Sequence, residues 1–320
     1  MLHPQVSALL SAVIAAGYGD LHIRPLAALR AAAREPYVPA GPPVYVRELE
    51  IPAPNGPLLA RVYTPSQSAE LQAGLLFFSA GFYVVDELSG HAALCQQLAV
   101  SADCVVVSVA PRAAPEHKFP SAADDAYAAT CWIHENADEL GIDHRRLAIG
   151  GESTGASLAT GVCRLAKERR NPALVFQLLL YPVTDLRSPA LARFSQLLDA
   201  QDDNVKQLRQ LTTGVLASTI ALYAATEAER ADPRCSPLAA SNLIGLPPAL
   251  IISAELDALA EQVNGYAQAL QRAEVPVTLS RYAGVGHGFV HAFAFLDPGR
   301  EALAECGAAL RTALHSAVPN

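Results

Sequence analysis

From about residue 44 onward, short apolar, β-branched runs alternate with segments of helical character, and this alternation leaves the chain few folds to adopt. Residues 44–51 and 58–63 read as two strands joined through the turn Pro54-Asn55-Gly56-Pro57. Leu75-Leu76-Phe77-Phe78 is continuously apolar, as a strand covered on both faces must be. Further strands are expected at 105–109, 147–149, 175–181, 249–253 and 275–282, with helices at about 90–101, 121–136, 153–168, 259–272 and 300–315. The pattern predicts an α/β fold, with a mostly parallel sheet covered by helices on both faces.

Two stretches interrupt the alternation. Residues 1–43 are helical and punctuated by proline, and 186–231 form a helical insertion between two strands. Both are expected to pack together as a cap over one end of a main domain built from 44–185 and 232–320. The apolar stretch 8–16 has no Lys or Arg before it, and Gly17-Tyr18-Gly19-Asp20 makes a poor cleavage site. It is also too short to span a bilayer, so a buried or amphipathic N-terminal helix is expected and stable membrane insertion is not.

Half of the residues are apolar (51%) and 17% are charged, which allows a large buried core. The net charge of -8 comes without any basic block, which argues against a nucleic-acid partner. Six cysteines are scattered, several within apolar runs and none in a CxxC pair. They are expected to be reduced thiols in a cytoplasmic protein. No metal is expected, because Glu116-His117 and the His287/His291 pair lack further ligands at suitable spacing.

Chemistry enters at Gly151-Glu152-Ser153-Thr154-Gly155, a G-x-S-x-G pentapeptide between an expected strand and an expected helix. Such a turn is sharp, so backbone passes close to backbone and glycine is needed on both sides of an exposed serine. A serine capping a glycine-rich helix start is the bland alternative. The strand-turn-helix context favours a nucleophile, which then needs a base and an acid to orient it. Asp257 and His287 follow Ser153 in that chain order, each on a loop after a late strand, the sheet edge where such sites lie. Glu255 and Glu261 compete with Asp257, and His291 with His287.

Arg112-Ala113-Ala114-Pro115-Glu116-His117-Lys118-Phe119-Pro120, Leu180-Tyr181-Pro182-Val183-Thr184-Asp185 and Gly245-Leu246-Pro247-Pro248-Ala249 make the likeness specific, together with Asp125, Trp132, Asp232-Pro233 and Ser236-Pro237. From about residue 44 to 315 the chain resembles the hormone-sensitive-lipase-like family of α/β-hydrolases, which includes bacterial acetyl esterases and carboxylesterases. The resemblance implies a capped eight-stranded sheet, a catalytic triad of Ser153, Asp257 and His287, and no cofactor. It also implies hydrolysis of short-chain esters through an acyl-enzyme. An amidase or lactonase on the same triad, or a weakly active small-molecule-binding relative, is the alternative. Dimers are frequent in that family, so a homodimer is a further expectation.

Three departures from the family pattern stand out. Ser79-Ala80-Gly81-Phe82 replaces the usual H-G-G-G; Glu152, Thr154 and Ala156 replace Asp, Ala and Gly of the usual elbow; and Asp257-Ala258-Leu259 replaces D-P-L. By resemblance, the oxyanion donors are the N–H groups of Gly81, Phe82 and Thr154, and Tyr83 and Phe289 are expected to line the substrate pocket. A positive φ at Phe82 is costly, because that residue carries a Cβ.

Overall fold

The computed structural model describes residues 2–15, 25–35, 41–188, 190–192 and 202–316. Strands β1 (Tyr45–Ile51), β2 (Leu58–Thr64), β3 (Gln72–Phe78), β4 (Val105–Val109), β5 (Ile142–Glu152), β6 (Gln177–Leu180), β7 (Ala249–Ala254) and β8 (Val277–Tyr282) form one sheet in the order β1-β2-β4-β3-β5-β6-β7-β8. The pairs β1–β2 and β2–β4 are antiparallel, and all later pairs are parallel. Helices α3 (Ala92–Ala102), α4 (Ser121–Glu135), α5 (Thr154–Arg169), α8 (Ala260–Arg272) and α9 (Asp297–His315) cover it. Outside this core lie α1 (Pro4–Ala15), α2 (Leu26–Arg34), α6 (Asp203–Tyr223) and α7 (Glu227–Ala231).

The continuous apolar runs divide between the two faces with the period of two that a strand imposes. Leu76, Phe78, Val107, Ile149, Leu179 and Ile251 face one core with α4, α5 and α8. Leu75, Phe77, Val106, Ala148, Leu178 and Ile252 face the other, with α3 and α9. Each such Val, Leu, Ile or Phe side chain, fully removed from water, stabilises the fold by about 1.5–3 kcal/mol.

Two boundaries differ from expectation. Strand β5 spans Ile142–Glu152, well beyond 147–149, because the polar Asp143-His144-Arg145-Arg146 segment hides its first half. Helix α9 begins at Asp297, three residues early, with Pro298 in its first turn, where no N–H is required.

The two interrupting stretches meet, since α1 packs against α6. Val6 and Leu10, one turn apart on α1, are both buried. From α6, Leu208 sits against Gly286, and Arg209 Nε donates to the Leu256 carbonyl at 3.2 Å. From α2, Arg30 donates to the carbonyls of Val84 (2.8 Å) and Ala114 (2.9 Å) and pairs with Glu116. Residues 16–24, 36–40 and 193–201 of the expected cap, with the segment read as a poor cleavage site, lie outside the described residues. Among the described residues no helix is long and apolar enough to cross a membrane.

The loop leaving β4 is pinned by Arg112, whose guanidinium meets both oxygens of buried Asp125 on α4 at 2.8 and 2.6 Å. Removing the cation leaves a buried carboxylate unpaired. Arg112→Ala is therefore expected to lose about 3–5 kcal/mol of stability in urea unfolding. A loss below about 1 kcal/mol, the range of surface ion pairs, contradicts this role.

Candidate active site

Strand β5 ends at Glu152 and α5 begins at Thr154, so Ser153 alone makes the turn, at φ 54° and ψ −116°. A non-glycine residue held in so sparsely populated a region of φ and ψ costs about 1–3 kcal/mol. The conformation is held by the Ser153 N–H, which donates to the Leu180 carbonyl at 2.9 Å. The flanking glycines answer to backbone crowding. A Cβ on Gly155 would stand 2.1 Å from the Phe78 carbonyl oxygen, and one on Gly151 would stand 2.4 Å from the Gly155 carbonyl carbon.

The Ser153 hydroxyl lies 2.8 Å from His287 Nε2, and His287 Nδ1 lies 2.7 Å from Asp257 Oδ2. The other oxygen of Asp257 accepts from the Leu259 N–H at 2.9 Å, which fixes the carboxylate beneath the imidazole. Glu255 is engaged elsewhere and accepts from the Gly284 N–H at 2.8 Å, while Glu261 stands exposed in the first turn of α8. Burial works against a charged imidazolium at His287. The Asp257 carboxylate outweighs it by charge and hydrogen bond, with Glu152 adding to the same effect, and the pKa is raised above its ordinary value.

Facing Ser153 is the loop after β3. Its Gly81 carbonyl accepts from the N–H groups of Val84 (2.9 Å) and Val85 (3.0 Å), closing a tight turn. Phe82 and Tyr83 take φ 51° and 61°, both positive as in a type I′ turn, where Gly or Asn is usual. Three contacts hold this strained turn. Tyr83 stacks on Tyr223 of α6 with ring centroids 3.9 Å apart, its carbonyl accepts from the Ala114 N–H, and Arg30 holds the next carbonyl.

The N–H groups of Phe82 and Thr154 donate to no other group among the described residues. Gly81 does not match the expected free donor. Its N–H is bound to the Thr154 hydroxyl oxygen at 3.2 Å, a contact made possible by threonine in place of the family's usual alanine.

Tyr83 and Phe289, expected to line a pocket, are given to packing instead, at 6% and 3% exposure. Tyr83 is buried by its stack on Tyr223, and Phe289 lies against Tyr181 and Tyr282.

A second cluster adjoins the elbow. Buried Glu152 accepts from the Tyr181 hydroxyl at 2.7 Å and meets His91 Nε2 at 2.8 Å and His291 Nδ1 at 3.2 Å. Burial alone would push its carboxyl up, but the two imidazoles hold it well below the usual carboxylate range. Desolvation, reinforced by His291, lowers the pKa of His91. Among the described residues, His91, Glu152 and His291 are the one set whose ligand atoms converge as a metal site would require, all within 4.8 Å of one another. Their contacts have hydrogen-bond lengths, and the carboxylate is matched by imidazole and phenol donors without a cation. Sequence reading did not find His91 or Tyr181; the glutamate in the elbow and a second histidine four residues after His287 were the available signals.

A family model described as the alpha/beta hydrolase fold matches residues 75–291. The chain is 38% identical over 264 residues to a carboxylic ester hydrolase, LipN, of Mycobacterium tuberculosis, covering 79% of this chain and 67% of that one. It is also 38% identical over 272 residues to an ethyl acetate hydrolase of Pseudomonas putida, covering 82% and 81%. Among solved structures, an esterase of Pyrobaculum calidifontis superposes with a TM-score of 0.81 at 31% identity, covering 98% of this chain and 99% of that one. The fold, the elbow and these relatives together identify the chain as a member of the α/β-hydrolase family, in its hormone-sensitive-lipase-like branch.

Proposed function

We propose that this protein is a serine carboxylesterase that hydrolyses short-chain esters through an acyl-enzyme, with Ser153 as nucleophile, His287 as base and Asp257 as orienting acid. The observation that carries this reading is the unbroken run of hydrogen bonds from Ser153 through His287 to Asp257, at 2.8 and 2.7 Å. Ser153 Oγ attacks the ester carbonyl as His287 Nε2 takes its proton, and the same nitrogen returns that proton to the departing alcohol. Water then attacks the acyl carbon with His287 again as base, releasing the acid. The free N–H groups of Phe82 and Thr154, with the positive end of α5 behind them, receive the oxyanion.

Short acyl chains are favoured by the bulky Phe82 in the turn facing the nucleophile, and by the likeness to an ethyl acetate hydrolase. The stretches 1–43 and 186–231 act as the cap over this site, supported by the contacts of α1, α2 and α6 described above. Six unpaired thiols, five of them buried, suit a reducing, cytoplasmic setting. The position of β8 as the last strand of the sheet, with no further strand among the described residues, suits a homodimer. A slower, binding-biased protein is the second reading, favoured by the engagement of the Gly81 N–H.

Wild-type protein is expected to turn over p-nitrophenyl acetate faster than the octanoate, and Ser153→Ala is expected to lower kcat by on the order of 10⁵ or more. Equal rates for wild type and Ser153→Ala contradict the esterase reading. Because the base works only when neutral, kcat/KM should rise with pH through the pKa of His287, with its midpoint above the ordinary imidazole value of 6.5. A midpoint at or below that value contradicts the influence of the carboxylates. Thr154→Ala releases the Gly81 N–H, and stopped-flow kcat is expected to rise about tenfold, within what one oxyanion donor supplies. An unchanged or lower kcat shows that Gly81 is no latent donor.

A further inference from the structure

The elbow glutamate is not used by the mechanism above, although its carboxylate is linked to both the base loop and the loop facing Ser153. Its Oε1 takes the Tyr181 hydroxyl, and the Tyr181 ring lies against the imidazole of His287 with centroids 4.8 Å apart. Its Oε2 accepts from His91 Nε2, and the edge of that ring packs 3.3 Å from the Ala80 nitrogen in the loop facing Ser153, a contact of packing because the ring nitrogen already donates to the carboxylate. The same oxygen meets His291 Nδ1, one turn beyond His287 on the base loop, and His291 Nε2 in turn meets the Gly90 carbonyl at 3.0 Å. The two ring nitrogens of His291 thus face a carboxylate and a carbonyl, both acceptors.

Resting on the esterase reading, we infer that Glu152 is a positioning residue for the reaction, setting His287 through Tyr181 and the oxyanion loop through His91. A buried ion pair with a purely structural role is the plain alternative, and buried pairs of that kind are common. Geometry separates the two. A structural pair needs only its own partners, whereas this carboxylate is linked through Tyr181 to the ring of the base and through His91 to the loop facing Ser153. It also places negative charge near the imidazole that becomes an imidazolium as Ser153 attacks. Among the described residues, the ionisable groups facing His287 are Asp257, Glu152 and the Tyr181 phenol. Those facing Glu152 are His91, His291 and Tyr181, with the buried Cys95 thiol near enough to sense its charge.

The isosteric Glu152→Gln variant removes the charge but keeps groups that can bond to Tyr181 and the imidazoles. Rates are to be expressed per Ser153 that reacts with an organophosphonate, so that loss of folded protein does not count. On that basis kcat for a p-nitrophenyl ester is expected to fall about tenfold to a hundredfold with KM little changed, as misplaced groups do. The acid limb of kcat/KM should move to lower pH, because a carboxylate that favours the imidazolium is gone. Glu152→Asp keeps the charge and should keep the limb while still losing kcat. Tyr181→Phe keeps the ring over His287 and should likewise lower kcat without moving the limb.

The titration midpoint of His287 by NMR, read without substrate, should be lower in Glu152→Gln than in wild type. An unmoved limb and unmoved midpoint, or a loss of kcat that vanishes per reactive Ser153, overturns the positioning role and leaves a structural ion pair. Wild-type protein that turns over no ester counts against the esterase reading instead, and the NMR midpoint still decides whether Glu152 acts on His287.

Discussion

The backbone at the start of α5 runs against the backbone leaving β3 with no side chain between them. A Cβ on Gly155 would lie 2.1 Å from the Phe78 carbonyl oxygen, closer than any packing rearrangement accommodates. The rest of the site depends on that approach. It puts Ser153 opposite the loop that starts at Ser79, and it brings the Thr154 side chain within reach of the Gly81 N–H. Any shift of α5 away from β3 would separate Ser153 from the Phe82 N–H. The strained angles at Ser153, Phe82 and Tyr83 persist because packing and hydrogen bonds on every side over-determine them.

The electrostatic counterpart is one imidazole served by two carboxylates. His287 lies where burial alone would keep it neutral, yet the reaction requires it to become positive. Asp257 supplies the direct bond, and its other oxygen is fixed by the Leu259 N–H. Glu152 is held differently: its charge is kept by two imidazoles and a phenol, so it remains an anion in a place that water barely reaches. The helix N-terminus behind Ser153 completes the arrangement by favouring negative charge where the substrate oxygen becomes an oxyanion.

Much of this was legible in the order of residues. The apolar runs and the turn at Asn55-Gly56 carry the sheet, because strand burial and turn geometry are local properties. The pentapeptide around Ser153, and the chain order placing Asp257 and His287 after it, carry the residues that the fold brings within hydrogen-bond reach. What was not legible depends on contacts distant in sequence. His91 and His291 stand 61 and 139 positions from Glu152, and no spacing rule relates them. Gly81 looked like a free donor because nothing local shows that Thr154, 73 positions away, occupies its N–H. Nothing in the sequence shows that stacking on Tyr223 claims the ring of Tyr83, or that packing on Tyr181 claims that of Phe289.

The most direct test of the account is where, and how often, the protein reacts with a fluorophosphonate probe, read by intact-protein mass spectrometry and peptide mapping. One adduct per chain is predicted, on the peptide carrying Ser153, with none formed in Ser153→Ala and far slower formation in His287→Ala. An unlabelled wild-type protein, or an adduct on any other residue, would contradict the assignment of Ser153 as a nucleophile activated by His287.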